Sequence, residues 1–475
     1  MEVSKTIERV LYFKITIPFF LLSTLIGCHN RDAYSIRNKK SPNGTVFSTV
    51  IEVATKGNAD VFIEYWKKER PDSVYVSDTS RQKNNHSVTL TGLQQNQLYE
   101  YKIHVIGAVS SAKSYTFKTG ELPLDIAEQV HLIYADSERL PDAFKKGYML
   151  LYRRDVPGLL LIVNAKGGIV SFQRADSIGY KVATLTSSQT LLSLLAPLTY
   201  PTSYGNEIIE RKINGDTVLH LVKGQNGFTK TIHHELLYNN KQQLVTLTLD
   251  QRVTDLSKVG GSKSDTVSGD GILVLDKKGN KIWAWSIFDV VDPLTYPNIL
   301  KEKKDWLHAN SLYIDKDGNY IVSFYLGKQI WKINAKSGKV IWKFGAKGDF
   351  KLDEGDWFSE SHSVFMNNDR ALILFENGTK NKKSSIRVYE IDEHRHRASL
   401  KNKIQLPDYL YTERMGSAYP LNDSLWLVCA AQSGNIVVID KKGAVLWRLK
   451  TAFTPYRANF IAEDKMKLAT LISKK

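Results

Sequence analysis

A hairpin pattern recurs six times after residue 125 and constrains the fold more than any other feature of the sequence. Each copy has an apolar pair followed by Asn or Asp, and most copies continue with a glycine-containing turn and a second apolar strand. The six marker residues are Asn164, Asn214, Asp276, Asn334, Asp392 and Asp440. Their spacing of 48 to 62 residues is the length of a four-stranded sheet with its loops.

This spacing predicts an all-β fold in which residues 125–475 form a six-bladed β-propeller. Each marker would lie in the tight turn between the two outer strands of a blade, where Gly supplies a positive φ. The copies at Asn214 and Asp392 are weak, so five or seven blades are open alternatives. A last strand near Phe460 to Ile472 would close the ring.

A second pattern, of short alternating strands, occupies residues 45–121. Runs such as Val46–Val53 and Asp60–Tyr65 alternate apolar and polar side chains, which is typical of half-buried strands. The stretch from Gly92 to Tyr101 is similar to the tyrosine corner of fibronectin type III domains. We therefore predict a small fibronectin III or immunoglobulin-like β-sandwich, which would be a spacer or docking element rather than a catalyst.

The first 44 residues predict export and a lipid anchor. Basic residues precede an apolar run of 12 residues, Ile15–Ile26, which is too short to span a bilayer but suits a secretory signal. Gly27 and Cys28 complete a stretch that resembles a bacterial lipobox, and an ordinary signal with a chance cysteine is the alternative. We expect residues 1–27 to be removed, Cys28 to carry lipid, and residues 28–44 to be a tether. The protein would then be a membrane-anchored lipoprotein of the cell envelope, facing the periplasm or the cell surface.

Cysteine content and charge narrow the classes of protein. Two cysteines exclude a disulfide-stapled scaffold and a Cys-rich metal site, and Cys429 is expected to be a buried small hydrophobe. The 65 basic residues outnumber the 49 acidic ones, for a net charge of +16, which indicates an anionic partner. Nucleic acid is disfavoured, because the basic residues are spread through turns and the protein is expected to be exported. A small anion at the mouth of the propeller fits the charge best.

Three histidines fall at the same phase of successive predicted blades. His234, His308 and His362 each open the strand that follows an outer hairpin and returns to the propeller axis. Their imidazoles would therefore converge at one mouth of the central channel. Asn310 fills the slot strictly equivalent to those of His234 and His362. Since strand side chains repeat every two residues, His308 and Asn310 can face the same way.

This histidine cluster has three interpretations. The imidazoles could donate cross-blade hydrogen bonds and have no other role. They could form a zinc shell with Glu235 as a further ligand, although Ala309 and Ser363 follow the other two histidines. They could also act as nucleophile, acid and base on an anionic ester, a use that suits imidazoles in a basic channel. We predict the third use, without a metal or a cofactor.

The residues around these histidines are similar to motifs of the bacterial arylsulfate sulfotransferase family. The segments that carry the resemblance are Asp305–Ser311, Ser361–His362, Phe375–Gly378, His233–Glu235 and Tyr456–Ala458. The likeness covers essentially the whole mature chain, including the N-terminal sandwich. It implies an arylsulfotransferase that moves a sulfuryl group from an aryl sulfate ester to a phenolic acceptor through a sulfo-histidine intermediate. The family does this without a nucleotide sulfate donor (PAPS).

The resemblance also implies roles for individual residues. His362 would be the nucleophile that carries the sulfuryl group, and His308 would protonate the leaving phenolate and later deprotonate the acceptor. His234 and Asn310 would hold sulfate oxygens or orient the ring. Sulfuryl transfer has a loose transition state, so its main needs are positioning and stabilisation of charge on the equatorial oxygens.

The sequence departs from the family at Tyr325, at Ser363 after His362, and in lacking a partner with which Cys429 could form the family's disulfide. Tyr325 stands where the family has an arginine that grips sulfate, and a tyrosine can donate a hydrogen bond but carries no charge. We expect Tyr325 to contact the substrate, and Arg387 or Lys328 to supply the positive charge. The alternative to an enzyme is a diverged or non-catalytic surface lipoprotein whose propeller binds a sulfated or other anionic ligand. The sequence leaves open whether the protein forms a homodimer.

Overall fold

The computed structural model of the protein describes residues 34–40, 46–108, 113–201 and 203–473. The predicted signal peptide and Cys28 lie outside these residues. The described chain is nearly all β, with three short α-helices, Leu124–Ala127 (α1), Asp142–Lys146 (α2) and Ile299–Glu302 (α3). None of the helices in this part of the chain is long and apolar enough to cross a bilayer. Short 3-10 helices occur at Ser257–Val259, Ile287–Asp289, Pro293–Thr295, Glu354–Asp356, Asp408–Leu410, Ala431–Ser433 and Glu463–Lys465.

The N-terminal residues form one antiparallel sheet. Its strands from this end of the chain are β1 (Tyr34–Lys40), β2 (Thr49–Lys67), β3 (Ser73–Val76), β4 (Ser80–Leu90), β5 (Leu98–Val105) and β6 (Tyr115–Lys118). The long strand β2 pairs with β4 along its first part and with β5 along its last, so the region of the predicted sandwich is hydrogen-bonded as a single sheet. The sheet folds around a core that includes Ile51, Ile63 and Tyr101. β1 pairs with β2, although it lies within the stretch 28–44 for which the sequence predicts a tether.

From residue 130 onward the chain forms small antiparallel sheets. Their strands are β7 (Val130–Ala135), β8 (Tyr148–Arg153), β9 (Gly158–Asn164), β10 (Ile169–Ala175), β11 (Ile178–Leu185), β12 (Thr190–Pro197), β13 (Tyr204–Gly205), β14 (Glu207–Lys212), β15 (Thr217–Val222), β16 (Ile232–Tyr238), β17 (Leu244–Thr254), β18 (Asp265–Leu275), β19 (Lys281–Ser286), β20 (Ala309–Ile314), β21 (Tyr320–Phe324), β22 (Gln329–Ile333), β23 (Val340–Gly345), β24 (Ser361–Met366), β25 (Ala371–Glu376), β26 (Ser385–Asp392), β27 (Arg397–Gln405), β28 (Ser417–Pro420), β29 (Leu425–Ala430), β30 (Asn435–Asp440), β31 (Val445–Thr451), β32 (Asn459–Ile461) and β33 (Thr470–Ser473).

Within the described residues, strands β7 to β32 form six sheets of four or five strands. Sheet 1 contains β8, β9, β10 and β32, sheet 2 contains β11, β12, β14 and β15, and sheet 3 contains β13 and β16 to β19. Sheet 4 contains β20 to β23, sheet 5 contains β24 to β27, and sheet 6 contains β28 to β31 with β7 at its edge. The first long strands of neighbouring sheets contact one another, in the order β8, β11, β16, β20, β24 and β28. The starts of sheets 3, 4 and 5, where the three histidines stand, therefore lie side by side.

All six marker residues lie at hairpin turns between consecutive strands, as the sequence predicted. Asp276 shows why this residue type suits the turn. Its Oδ1 accepts hydrogen bonds from the backbone N–H of Lys278 at 2.8 Å and of Asn280 at 2.9 Å. Gly279, between them, has a φ of 85°, which residues with a Cβ rarely adopt.

The C-terminal residues divide between two sheets. β32 pairs with β8, so the chain returns to sheet 1 as expected of a closing strand. β33 instead pairs with β3 and extends the N-terminal sheet. The 3-10 helix Glu463–Lys465 separates the two strands, and the stretch predicted as one strand near Phe460 to Ile472 is therefore two.

Large buried side chains join the sheets to one another. Trp306, Trp342 and Trp447 are almost fully buried, and the indole N–H of Trp447 in sheet 6 donates to the carbonyl of Ala165 in sheet 1 at 2.7 Å. Cys429 is buried in β29, as predicted, and burial raises the pKa of its thiol. It packs as a small hydrophobe and is inert.

Candidate active site

A cavity of about 560 Å³ opens where the first strands of sheets 3, 4 and 5 begin. His234, His308 and His362 all line it, and Tyr325 lines it with them. The convergence of the three imidazoles that the sequence predicted is therefore present. Further lining residues come from segments that are far apart in the chain, among them Arg154, Asp305, Met415 and Tyr456.

Each histidine is placed by an irregularity of its strand. The pairings of β16 with β17, of β20 with β21 and of β24 with β25 all shift register close to the histidine. The backbone turns left-handed at the same points, with φ of 57° at His234, 54° at His308 and 51° at Ser363. Such backbone is uncommon for residues other than glycine, and it is found where a side chain is re-aimed at a functional site. The three histidines thus share a position in their sheets at which the strand has a bulge.

Aromatic rings pack edge to face around the cavity. The ring centroids of His234 and His308 are 5.1 Å apart, and the ring of Tyr325 is 6.0 Å from His308 and 5.2 Å from His362. The hydroxyl of Tyr325 donates to the carbonyl of Glu413 at 2.8 Å. Tyr325 therefore presents its ring to the two histidines, while its hydroxyl is bonded to the neighbouring loop.

The hydrogen bonds around His362 set its tautomer. The amide group of Asn377 donates to the carbonyls of Thr412 at 3.0 Å and Met415 at 2.9 Å, so its Oδ1 must be the atom that faces His362. That oxygen lies 2.7 Å from Nδ1 of His362, which therefore carries the hydrogen. Nε2 is left with its lone pair, which accepts the backbone N–H of Met415 at 3.2 Å. Burial lowers the pKa of His362 to about 3, so the ring is neutral at physiological pH.

His308 has the opposite electrostatic environment. Its Nδ1 lies 2.7 Å from a carboxylate oxygen of Asp305, and its side chain is 24% exposed. Burial alone would lower the pKa of His308, but the hydrogen bond and the charge of Asp305 outweigh it and raise the pKa above its ordinary value. The pair resembles the orienting carboxylate and imidazole of many acid–base sites.

His234, rather than His233, faces the cavity. The two rings are linked by a hydrogen bond of 2.7 Å between their Nδ1 atoms, and His233 packs behind His234 against Tyr204. Nε2 of His233 lies 3.4 Å from Asp270, a buried carboxyl group whose pKa burial raises to about 7. Burial lowers the pKa of both histidines, so both rings are neutral and only one of them donates in the bond they share.

Arg154 is a lining residue that the sequence analysis missed. It follows β8, its side chain is buried at 4% exposure, and its guanidinium stacks over the ring of Tyr456 with Cζ 4.4 Å from the centroid. The available signal was the pair Arg153-Arg154 at the end of an apolar strand. The alternation of side chains along a strand predicts that either Arg153 or Arg154 faces inward. It does not predict that the inward side chain lies near histidines of other sheets.

Two of the predicted substrate-binding residues do not line the cavity. Asn310 is buried beside it, where its amide donates to the carbonyl of Ser361 at 2.8 Å and its Oδ1 has no partner. Arg387 is buried in sheet 5, with Nε 2.6 Å from a carboxylate oxygen of Glu376 and Nη1 bonded to the carbonyl of Asp356. The structure therefore does not place Arg387 at the cavity, because its guanidinium is already paired within its own sheet.

Lys328, the other candidate for that charge, is also engaged elsewhere. Its ammonium group is exposed and lies 3.0 Å from Glu360, outside the cavity lining. The zinc alternative meets a similar obstacle, because Glu235 is in a buried ion pair with Arg457. Among the described residues, no three His, Cys, Asp or Glu side chains are grouped so as to hold a metal ion.

Comparison with known proteins shows the family to which the chain belongs. The family model described as "Arylsulfotransferase (ASST)" matches residues 140–435, which is more than half of the chain and includes the three histidines. None of the curated proteins matches the sequence.

Several solved structures share a distant likeness. A protein of unknown function from Bacteroides caccae is 10% identical, with 66% of this chain and 98% of that chain covered and a TM-score of 0.43. A putative 6-phosphogluconolactonase from Bacteroides fragilis is 9% identical, covering 86% and 98%, with a TM-score of 0.37. Virginiamycin B lyase from Staphylococcus aureus is 10% identical, covering 72% and 98%, with a TM-score of 0.34. At these scores the likenesses carry no argument about fold or function.

Proposed function

The chain belongs to the arylsulfotransferase family, and we propose that it transfers a sulfuryl group from an aryl sulfate to a phenolic acceptor through a sulfo-histidine on His362. The observation that carries this proposal is the presence of two differently prepared imidazoles in one cavity. His362 is neutral with an unprotonated Nε2, and His308 is prepared by Asp305 to hold a proton. A nucleophile and an acid with separated pKa values are what a two-step group transfer needs.

In the first step, the lone pair on Nε2 of His362 attacks the sulfur of the aryl sulfate. The bond between sulfur and the aryl oxygen breaks, and the departing phenolate takes the proton from Nε2 of His308. The phenol leaves as a neutral molecule and His308 becomes neutral. Nδ1 of His362 keeps its hydrogen and donates to Asn377 throughout, which helps to disperse the positive charge that forms on the ring.

In the second step, an acceptor phenol replaces the first. Nε2 of His308, now neutral, takes the proton of the acceptor hydroxyl as the phenolic oxygen attacks sulfur. The bond between sulfur and Nε2 of His362 breaks, and both histidines return to their starting states. The aryl sulfate is itself the sulfuryl donor, so no nucleotide sulfate (PAPS) enters the cycle.

His234 supports the transfer by position. Its ring lies 5.1 Å from that of His308 and is backed by the hydrogen bond to His233, so it cannot swing away from the cavity. The ring lines the cavity in which the sulfuryl group would sit. A loose transition state carries its charge on those oxygens, and preoriented donors there lower the barrier.

The proposal includes the setting of this site. The six sheets are taken as the blades of a six-bladed β-propeller, for which the support is the chain-order contact of their first strands and the return of β32 to sheet 1. The lipobox-like sequence at Cys28 supports a lipoprotein held in the cell envelope. There the enzyme would meet exogenous aryl sulfates and phenols.

One observation favours a second candidate, a diverged lipoprotein that binds a sulfated or other anionic ligand without turnover. The family arginine is replaced by Tyr325, and the backbone N–H of Met415 occupies the lone pair of His362 at 3.2 Å. In an enzyme, the hydrogen bond from Met415 to Nε2 must break as the sulfur atom of the substrate approaches that nitrogen. In a binder it would persist.

The test is to incubate the purified protein with 4-nitrophenyl sulfate and a phenol, with and without a chelator, and to measure nitrophenolate release. We expect release that depends on the acceptor and is insensitive to the chelator. His362→Ala should abolish it, whereas His394→Ala, on an exposed turn, should leave it unchanged.

A second measurement identifies the intermediate. Without acceptor, the protein should gain the mass of one SO₃ group on the peptide that contains His362. Full transfer activity in His362→Ala would sink the proposal, and binding of the ester by an inert wild-type protein would favour the second candidate.

A further inference from the structure

The guanidinium of Arg154 is a buried cation with unused donors in the wall of the cavity. Its side chain is 4% exposed, and neither Nε nor Nη2 has a hydrogen-bond partner. No ion pair joins it to any carboxylate among the described residues. Asp155, the nearest acidic neighbour in the chain, is exposed. The other two buried arginines among the described residues each lie against a carboxylate, Arg387 against Glu376 and Arg457 against Glu235.

An arrangement of this kind is unfavourable unless a ligand completes it. Burying a charge without a partner is expensive, and proteins normally pair such groups or leave them in water. An arginine remains protonated even when burial lowers its pKa. It therefore cannot avoid the free-energy cost of burial by becoming neutral. The two free N–H groups of a guanidinium form a planar fork that matches the oxygens of sulfate-like anions.

The backbone and the ring of Tyr456 hold this cation in place. The backbone carbonyl of Arg154 accepts a hydrogen bond of 2.9 Å from the buried ammonium group of Lys181. Gly179 packs so closely that a Cβ there would lie 2.0 Å from the same carbonyl. The guanidinium lies over Tyr456, whose ring is also near that of His234, with 5.9 Å between the ring centroids. The side chain is therefore preoriented rather than free to fold away.

The position of the charge relative to the histidines is also informative. Arg154 lines the same cavity as His234, His308 and His362, and its positive charge contributes to lowering the pKa of all three rings. It reaches them from sheet 1, whereas Tyr325 belongs to sheet 4. The cation and the tyrosine thus approach the histidines from different walls of the cavity.

We propose that Arg154 binds the oxygens of the sulfuryl group during transfer, and so supplies from sheet 1 the positive charge that Tyr325 lacks in sheet 4. This inference rests on the proposed function for the identity of the anion as a sulfate ester. The guanidinium N–H groups donate to the sulfuryl oxygens while His362 attacks sulfur, and the same contacts hold the group on the sulfo-histidine. With the sulfuryl group against Arg154, the aryl ring of the substrate extends toward Tyr325, Leu326 and Met415 at the rim.

Binding of inorganic sulfate tests the anion site without requiring turnover. At constant ionic strength kept with sodium chloride, sulfate should raise the Tm of the wild-type protein, and Arg154→Met should remove the rise. Arg153→Met is the matched control, because the neighbouring guanidinium lies outside the cavity and donates to the carbonyl of Pro157. It should keep the sulfate-dependent rise. A rise in Arg154→Met equal to that of the wild type overturns the proposal.

The Tm without sulfate separates ligand binding from a structural role. A structural arginine lowers the Tm when it is removed. An arginine kept for a ligand leaves an uncompensated charge in the empty site, so Arg154→Met should have the same Tm as the wild type or a higher one. If Arg154→Met does not fold, Arg154→Lys decides the matter. It keeps the charge but not the fork, and the sulfate-dependent rise should fall to less than half, whereas an undiminished rise contradicts the proposal.

Transfer kinetics complete the test and keep the two proposals distinguishable. With 4-nitrophenyl sulfate as donor, Arg154→Met should lower kcat/KM by about 100-fold or more, as for loss of other preoriented transition-state donors. If wild type and Arg154→Met transfer equally well, the proposed function stands and the role of Arg154 falls. If the wild type does not transfer but binds sulfate only when Arg154 is present, the role of Arg154 stands as an anion site and the transferase proposal falls.

Discussion

Oδ1 of Asn377 accepts a hydrogen bond from Nδ1 of His362 at 2.7 Å, and the amide group of the same asparagine is bonded to the carbonyls of Thr412 and Met415. The side-chain amide of Asn377 cannot rotate by 180° without breaking all three hydrogen bonds. His362 is therefore confined to the tautomer whose lone pair is on Nε2, where it accepts the backbone N–H of Met415 at 3.2 Å. A buried amide 15 residues along the chain thus decides which nitrogen of the nucleophile can react.

The first prediction concerns that amide. Asn377→Leu should slow formation of the sulfo-enzyme by about 10-fold to 100-fold, because the imidazole loses its fixed tautomer and orientation. It should also lower the free energy of unfolding, by about 1–3 kcal/mol for each buried carbonyl left without a donor. The measurements are single-turnover nitrophenolate release and chemical denaturation.

Asn310→Leu is the control for this loss of a buried amide. Its amide also bonds a buried carbonyl, but the side chain does not line the cavity. We expect a loss of stability about half as large, because one carbonyl rather than two loses its donor, with a much smaller loss of sulfo-enzyme formation. Equal effects of the two substitutions on that step would contradict the role given to Asn377.

The second prediction concerns pH. Donor transfer needs His308 protonated, and its pKa is raised by Asp305, so kcat/KM for the donor should fall as pH rises through this raised pKa. Asp305→Asn removes the carboxylate that raises it, and the falling limb of the profile should move to lower pH. The variant should therefore lose most activity at alkaline pH and least at acidic pH. Asp423→Asn, at an exposed turn, should have the wild-type profile.

The third prediction separates the ring of Tyr325 from its hydroxyl. The hydroxyl is bonded to the carbonyl of Glu413, while the ring packs on His308 and His362. Tyr325→Phe should therefore keep kcat/KM within a few-fold, and Tyr325→Ala should lower it by about 10-fold through lost packing of the two histidines. A large loss in Tyr325→Phe would instead mean that the hydroxyl contacts the substrate.

The fourth prediction concerns Arg387, which pairs with Glu376 instead of lining the cavity. Arg387→Met should lower the free energy of unfolding by about 3–5 kcal/mol, because it leaves a buried carboxylate uncompensated. The double variant Glu376→Gln with Arg387→Met should recover much of that loss. In both variants, the protein that remains folded should keep a KM for the aryl sulfate near that of the wild type. A KM raised by tenfold or more would place Arg387 on the substrate after all.

The hairpins and the phase of the histidines were predictable because they depend on short-range rules. Asp276 and Gly279 form a tight turn wherever they occur at this spacing, and the turn sets the direction of the strands on either side. The period of these turns then places His234, His308 and His362 at the same point of their sheets. The bulges that re-aim them were not predictable, because nothing in a local pattern announces a register shift.

The roles of arginines were harder to predict, because they depend on which sheets meet. Arg387 stands in the same sheet as His362, two strands away, yet its guanidinium bonds to Glu376 within that sheet. Arg154 stands 208 residues before His362 in a run with no motif of its own, yet it lines the same cavity. The sequence pattern suggested a contact with the substrate for Arg387, and it gave no indication that Arg154 lines the cavity.

By itself, the sequence determined the repeated turn, the all-β content and the set of histidines, since each follows from local backbone preferences repeated at a regular spacing. Only the tertiary structure decided that His234 rather than His233 faces the cavity, that Asn377 sets the tautomer of His362, and that a cation arrives from sheet 1. The physical reason is that each arrangement depends on contacts with other segments: Asn377, only 15 residues from His362, is itself held by the carbonyls of Thr412 and Met415. These contacts form only when the sheets pack side by side and the strand β32 brings the end of the chain back to its beginning.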